Sequence, residues 1–155
     1  MPTNLFGEND NYDALNGHVI PSLIKKIFIA KKFNESLEVW GDGSSKREFM
    51  HVDDLSDACL FCMRLSDKKF FNNNKFLNSH INVGSGEIIS IKKLVKKITK
   101  IMNFNNKIIY NSNFPKGTPI KYLNSNKINS LGWKSKISLE VGLKNTIENY
   151  LKKNY

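Results

Sequence analysis

His18 is the residue of this chain best placed to move a proton. Residues 7–17, Gly-Glu-Asn-Asp-Asn-Tyr-Asp-Ala-Leu-Asn-Gly, form a polar, turn-rich loop long enough to carry function. From His18 onward Val19, Leu23, Ile24, Ile27 and Ala30 recur at helical spacing, to about Phe33. An imidazole where a loop runs into a helix can give or take a proton near neutral pH. A lone His at a helix start is nevertheless more often a capping or surface residue. Pro2-Thr3-Asn4-Leu5 reads as a strand end that could present backbone N–H and C=O groups rigidly, or as an ordinary strand exit. Arg47, between Lys46 and Glu48, reads first as a solvated charge, and Trp40 as a core aromatic.

Other motifs carry weaker chemistry. Cys59 and Cys62 are spaced C-x-x-C inside the apolar helical run Leu55–Met63, which points to buried structural thiols rather than zinc or redox work. Asp53 and Asp54 suit the cap of that helix, where the dipole favours negative charge. Gly84-Ser85-Gly86 is too short for a phosphate loop and more simply turns a strand into the next helix.

The elements that must position these groups alternate. Leu37–Trp40 reads as a strand closed by Gly41-Asp42-Gly43, and Arg47–Val52 as another, followed by a helix to about Leu65. Residues 66–78 read as a loop and His80–Gly84 as a strand. Ser90 opens a helix with Ile91, Leu94, Val95, Ile98 and Ile101 on one face. Lys107–Tyr110 is a strand, a short helix lies near Asn126, and a last helix starts at Ser138 with Glu140 in its first turn. No repeat or linker divides the chain, and the alternation argues α/β.

Composition narrows the partners. A chain of 155 residues, 40% hydrophobic, can bury one ordinary core, and no apolar run approaches the roughly 20 residues of a membrane span. The opening residues lack a secretory pattern, so the expectation is a cytoplasmic protein without a membrane partner. The net charge of +10 invites nucleic acid, yet only Arg47 and Arg64 among 24 basic residues are arginine, the residue that base and phosphate recognition favour. The lysines are spread over polar helix faces, so no nucleic-acid partner is expected; a polyanionic small molecule such as a nucleotide sugar fits the charge.

Pro2-Thr3-Asn4-Leu5, Asn16-Gly17-His18-Val19-Ile20-Pro21 and Arg47-Glu48-Phe49-Met50-His51-Val52-Asp53-Asp54 together resemble the carboxyl-terminal half of the extended short-chain dehydrogenase/reductase family. Within that family they are similar to the GDP-L-fucose synthases, which epimerise and reduce GDP-4-keto-6-deoxy-mannose. The resemblance runs from residue 2 to about residue 151. It implies a Rossmann-type α/β fold in which residues 1–155 form the substrate-binding half, with a small α/β substrate domain. The dinucleotide fingerprint and a Tyr-x-x-x-Lys pair would lie before residue 1, so Met1 would correspond to an internal methionine and this chain alone would lack reductase activity. The resemblance further implies NADPH as cofactor, a GDP-sugar as substrate, no metal, and a homodimeric parent enzyme.

By that resemblance His18 is the acid that reprotonates the sugar carbanion, and it approaches the nicotinamide together with Pro2, Thr3, Asn4 and Leu5. Arg47 binds the nucleotide diphosphate, for which a guanidinium fork is suited. Trp40 lines the nucleotide pocket and Lys26 stands where relatives carry a basic residue, often Arg. Relatives read Lys-Pro-Asp-Gly-Thr-Pro-Arg-Lys where this chain has Phe114-Pro115-Lys116-Gly117-Thr118-Pro119-Ile120-Lys121. Lys116 therefore replaces an acid that touches the nucleotide, and Ile120 replaces a base. Two alternatives stand beside this expectation: another nucleotide-sugar epimerase, dehydratase or reductase, or a non-catalytic nucleotide-sugar binding domain.

Overall fold

A computed structural model describes residues 1–71, 80–114 and 117–154. In chain order it contains β1 (Asn4–Phe6), α1 (Val19–Lys32), β2 (Leu37–Trp40), β3 (Lys46–His51), α2 (Val52–Met63), α3 (Asp67–Phe71), β4 (Ile88–Ser90), α4 (Ile91–Ile101), β5 (Ile108–Asn111), β6 (Ile120–Lys121), α5 (Asn126–Ser130) and α6 (Leu139–Asn154). This is the expected α/β order. Among the described residues no helix is long and apolar enough to cross a membrane.

Strand β3 is the axis of the larger sheet. β1 pairs with its second half in parallel (Asn4 opposite Phe49, Phe6 opposite His51), and β6 pairs in parallel with Lys46 and Arg47. β4 runs antiparallel along the opposite edge. Side chains alternate between faces of a strand, so Phe49 enters one apolar core and Met50 a second. The first core collects Ile20, Ile24 and Ile27 of α1, Leu94 and Ile98 of α4, and Leu143 and Ile147 of α6. The second holds Ala58, Ile81, Val83, Ile128 and Trp133. α6 approaches β1 and β3 closely because Gly142 has no side chain: a Cβ there would stand 2.9 Å from the Phe6 ring and 3.1 Å from His51 Cδ2. β2 and β5 form a separate parallel pair.

On the Met50 face of β3 lies a buried carboxylate. Glu48 has 0% exposure; its Oε1 accepts from the Gly86 N–H at 2.8 Å and its Oε2 from the Leu123 N–H at 2.9 Å. Its backbone oxygen accepts from Thr3 Oγ1 and Asn4 Nδ2. One residue thus ties β1, the 84–86 turn and the 121–125 segment to β3.

Several local expectations are corrected. Helix α2 is capped by His51, whose Nδ1 accepts from the Asp53 N–H at 3.4 Å; the two acids follow the cap. Asp54 instead points inward and accepts from Ser135 Oγ, Lys136 N and Ile137 N, pinning the approach to α6. Cys59 is exposed and Cys62 half-buried, so they are not the buried pair expected: the core side of α2 is formed by Asp54 and Ala58. Residues 80–84 make an isolated parallel bridge between Pro2 and Val83 rather than a strand: Thr3 N–H donates to the Val83 carbonyl and Val83 N–H to that of Met1. The segment read as a loop from 66 opens with the short helix α3; residues 72–79 lie outside the described residues. Ser90 does cap α4, accepting from the Lys93 N–H at 3.2 Å.

Glu48→Ala should leave the partly buried Gly86 and Leu123 N–H groups without their acceptor. A fully buried donor so orphaned costs about 1–3 kcal/mol and these are half open to water, so the urea midpoint should fall by the equivalent of roughly 1–3 kcal/mol in all. Glu48→Gln retains an acceptor for one donor and should lose less. Equal stability of Glu48→Ala and the wild-type chain would remove this carboxylate from its structural role.

Candidate active site

Two adjoining clefts meet where Gly17, Val19 and Arg47 line both. The first, about 490 Å³, opens among Thr3, Asn4, Leu5, His18, Ile20 and Phe49. The second, about 220 Å³, lies between α1, β2 and the start of α4 and includes Ser22, Lys26, Trp40, Asp42 and Ser45. The N-terminal end of α1 and the Arg47 side chain together form the ridge between them.

His18 is the N-cap residue of α1 by backbone geometry, with φ −66° and ψ 164°, yet its side chain makes no capping hydrogen bond. The imidazole is 82% exposed, and its Nδ1 stands 3.7 Å from Asp10 Oδ1. Of the two readings open from the residues, side-chain capping is therefore excluded. The backbone ahead of it is tightly folded. Asp13 accepts from the Leu15 and Asn16 N–H groups, and the Asn16 bond is the larger cause that holds this carboxyl below its ordinary range. Gly17 donates to the Asp13 carbonyl at 3.0 Å, and a Cβ on Gly17 would lie 2.4 Å from that oxygen. Glycine is required here by close approach, not by a left-handed backbone.

The 8–17 loop is anchored from below. Tyr12 packs on Tyr150 of α6 at 4.4 Å between ring centroids, and Asn149 Nδ2 donates to Glu8. Burial first, and the nearby Asp10 charge second, push the Tyr12 phenol up to about 12.

In the second cleft Val19, Ser22 and Lys26 lie on one strip of α1, as residues three and four apart do. The strict alternation of β2 buries Leu37 and Val39 and turns Glu38 and Trp40 outward. Trp40 is 39% exposed, so it is a wall of the cleft, not a core residue. Lys26 Nζ sits 4.1 Å from the Trp40 ring centroid, and Phe114 stacks on the same indole at 4.5 Å with an 11° tilt. Desolvation against this surface holds the Lys26 ammonium below its ordinary pKa, with Glu38 opposing the shift. Arg47 Nη1 donates to the carbonyls of Lys46 and Thr118, at 2.8 and 2.6 Å, which aims the guanidinium along the ridge.

Of the residues singled out from sequence, Thr3, Asn4, Leu5, His18, Lys26, Trp40 and Arg47 converge on these clefts. Pro2 does not; it lines a smaller hollow with Lys121, Tyr122 and Leu123, and it precedes β1 where a strand exit was expected. Lys116 lies outside the described residues. Sequence reasoning missed Asp10, Gly17, Ser22 and Phe114 as site residues. Gly17, directly before His18, carried a signal of close backbone approach; Asp10 carried none, since spacing inside an irregular loop does not say where a carboxylate points. Among the described residues no three His, Cys, Asp or Glu side chains form a group able to hold a metal.

Known proteins share the sequence and fold of this chain. The NAD dependent epimerase/dehydratase family matches residues 1–84. The chain is 42% identical over 154 residues (98% of this chain, 45% of the relative) to GDP-L-fucose synthase 1 of Arabidopsis thaliana. It is 39% identical to GDP-L-fucose synthase of Escherichia coli strain K12, over 97% of this chain and 47% of that one. The crystal structure of a GDP-6-OMe-4-keto-L-xylo-heptose reductase from C. jejuni superposes with a TM-score of 0.87 at 30% identity, covering 99% of this chain and 53% of that one. The chain spans about half the length of the curated relatives it matches.

The Tyr12 phenol gives a pH prediction. Its folded-state pKa, about 12, lies above the ordinary 10.0, so folding favours the protonated form. The stability it contributes is complete below pH 10.0 and is lost as pH rises toward about 12. Melting temperatures followed across that window should fall less steeply for Tyr12→Phe than for the wild-type chain; parallel curves would show that Tyr12 titrates normally.

Proposed function

This chain belongs to the NAD dependent epimerase/dehydratase family, and we propose that it is the substrate-binding half of an enzyme of the GDP-L-fucose synthase type. The reaction is epimerisation at the two carbons flanking a ketone of a GDP-linked 4-keto-6-deoxy sugar, then reduction of that ketone. The observation that carries this reading is the meeting of two clefts at Arg47 and Gly17. One cleft bears a titratable imidazole, the other an aromatic wall with two cations. A nucleotide diphosphate lying on the Arg47 ridge would put its sugar beside His18 and its base beside Trp40.

The chemistry follows from the groups present. The ketone acidifies both neighbouring C–H bonds, so a carbanion forms once a base removes a proton. His18 returns a proton to the opposite face, inverting the centre. General acid catalysis of this kind contributes roughly 10²–10⁴-fold. Arg47 supplies a planar fork for the diphosphate, and its contacts to the Thr118 and Lys46 carbonyls hold that fork in place. Lys26 adds a second positive charge, partly desolvated against Trp40.

NADPH, when bound, supplies the hydride that reduces the ketone. The first cleft, at about 490 Å³, falls in the range of roughly 300–1,000 Å³ typical of small-molecule sites. Thr3, Asn4, Leu5 and His18 are the groups of this chain that would meet the nicotinamide end. Thr3 and Asn4 are steadied for it by donating to the Glu48 carbonyl. Pro2 would contribute through its fixed backbone, bridged to Val83 just before β1, rather than by contact with the cleft. Lys116 is one bond from Gly117, which lies against Arg47, and two from Phe114, which stacks on Trp40.

Calorimetry with GDP and UDP tests the binding half of this proposal. Arg47→Ala should weaken both alike, by about 10- to 150-fold, since a charge-assisted contact contributes roughly 1.5–3 kcal/mol. Lys116→Asp should raise the preference for GDP, because a carboxylate accepts from the guanine N–H edge and an ammonium can only donate. Undiminished GDP binding by Arg47→Ala would remove Arg47 from the site.

The catalytic half is tested by joining this chain to the amino-terminal half of the Escherichia coli relative. His18→Asn in that chimera should slow solvent deuterium entry into the sugar by about 10²–10⁴-fold and leave GDP affinity nearly unchanged. Exchange at the unsubstituted rate would exclude His18 as the acid.

A further inference from the structure

We infer that Asp10 is the positioning residue for His18: its fixed carboxylate holds the imidazole by Nδ1 and turns Nε2 toward the first cleft. The inference rests on the reading of His18 as proton donor and extends it to a residue that reading does not name. It begins from an asymmetry. The His18 side chain is 82% exposed and makes no capping bond, so its own helix leaves it free to rotate. Asp10 is only 17% exposed, and its Oδ1, 3.7 Å from His18 Nδ1, also accepts from the Asn11 N–H at 2.7 Å.

The segment carrying that carboxylate is tied down on both sides. Before it, Glu8 is held by Asn149 and Asn9 by Lys153, both on α6. After it, Tyr12 packs on Tyr150 of the same helix. A tied-down acceptor therefore faces an exposed imidazole with no bond to its own helix, and the imidazole is the partner left to adapt. Proton transfer in a site depends on such orientation, since misplacement of the donor loses rate steeply.

The consequence for the proton is definite. The imidazolium places its Nδ1–H on Asp10 and its Nε2–H toward the cleft. When the sugar carbanion takes the Nε2 proton, the N–H bond breaks, its electron pair stays on nitrogen, and the carbanion pair forms the new C–H bond. The imidazole is left neutral with its remaining proton on Nδ1, still held by Asp10. This is the base-and-orienter arrangement of hydrolytic triads, met here with an acid. The 3.7 Å separation is longer than a hydrogen bond; catalytic contacts of this kind commonly tighten around substrate. An exposed pair of this kind adds little to stability, so its removal tests orientation and not folding.

Two measurements decide it. In the 155-residue chain, imidazole nitrogen NMR on neutral His18 should find the proton on Nδ1. Asp10→Ala should move it to Nε2, the position free imidazole side chains prefer, and Asp10→Glu should keep it on Nδ1. An identical tautomer in wild type and Asp10→Ala would overturn the pairing. In the chimera, Asp10→Ala should lower kcat for epimerisation about 10-fold, the lower end for loss of a hydrogen bond to a charged group, with KM unchanged and Asp10→Glu recovering most of the rate. A tautomer change without loss of kcat would overturn the positioning role. An active His18→Asn chimera would instead sink the functional reading, while the NMR result would stand on its own.

Discussion

A buried carboxylate holds this structure together. Glu48 could not remain buried as an ion unless hydrogen bonds replaced its hydration, and the Gly86 and Leu123 N–H groups do so. Gly84 must be glycine beside it, because a Cβ there would stand 2.3 Å from Glu48 Oε1. The same residue's carbonyl takes the Thr3 and Asn4 side chains. Segments that are 38 to 75 positions away in sequence are thus fixed to the centre of β3. The strand is set by both its cores and this polar tie, and everything at the clefts is measured from it.

The alternation of β3 then sorts structure from chemistry. Glu48 and Met50 face the second core, whereas Arg47 and Phe49 face the side where α1 packs and where both clefts open. A one-residue slip would exchange the buried carboxylate with the guanidinium of the ridge, which no arrangement of neighbours here would tolerate. Register is therefore enforced by charge as well as by apolar packing. Helix α1 supplies the opposite wall: its inner positions are filled by Ile20, Ile24 and Ile27, which leaves Val19, Ser22 and Lys26 along the cleft.

The two clefts differ in their electrostatics in the direction the proposed chemistry asks for. Around Trp40, desolvation holds Lys26 below its ordinary pKa while Glu38 opposes the shift, so the cation sits poised between a ring and an acid. Around His18 the surroundings are open and the neighbouring carboxylate is the fixed element. A diphosphate binder gains from partly dried cations, because charge attraction strengthens as water leaves. A proton donor gains from orientation. The tight turns of the 8–17 loop and its anchors on α6 provide the second, at a distance from the groups that provide the first.

Much of this was legible in the residues. Helical spacing gave α1, α4 and α6 nearly to their ends, Ser90 announced its cap, and the Leu37–Trp40 alternation gave β2 without error, because those signals are local and periodic. The motif resemblance picked out seven side chains that do converge on the clefts. What it did not carry was whatever depends on a partner far along the chain. Asp54 looked like a cap because its helix was visible and Ser135, Lys136 and Ile137 were not. Cys59 looked buried because an apolar run does not say which side of a helix meets the core. Asp10 and Phe114 looked like loop residues, and only the folded chain brings one to His18 and the other onto Trp40. Sequence by itself determined which elements form and which side chains could do chemistry, since backbone periodicity and residue type are local properties. Tertiary structure alone decided which of those side chains are held, by what and at what distance, since that depends on contacts between segments that no local pattern encodes.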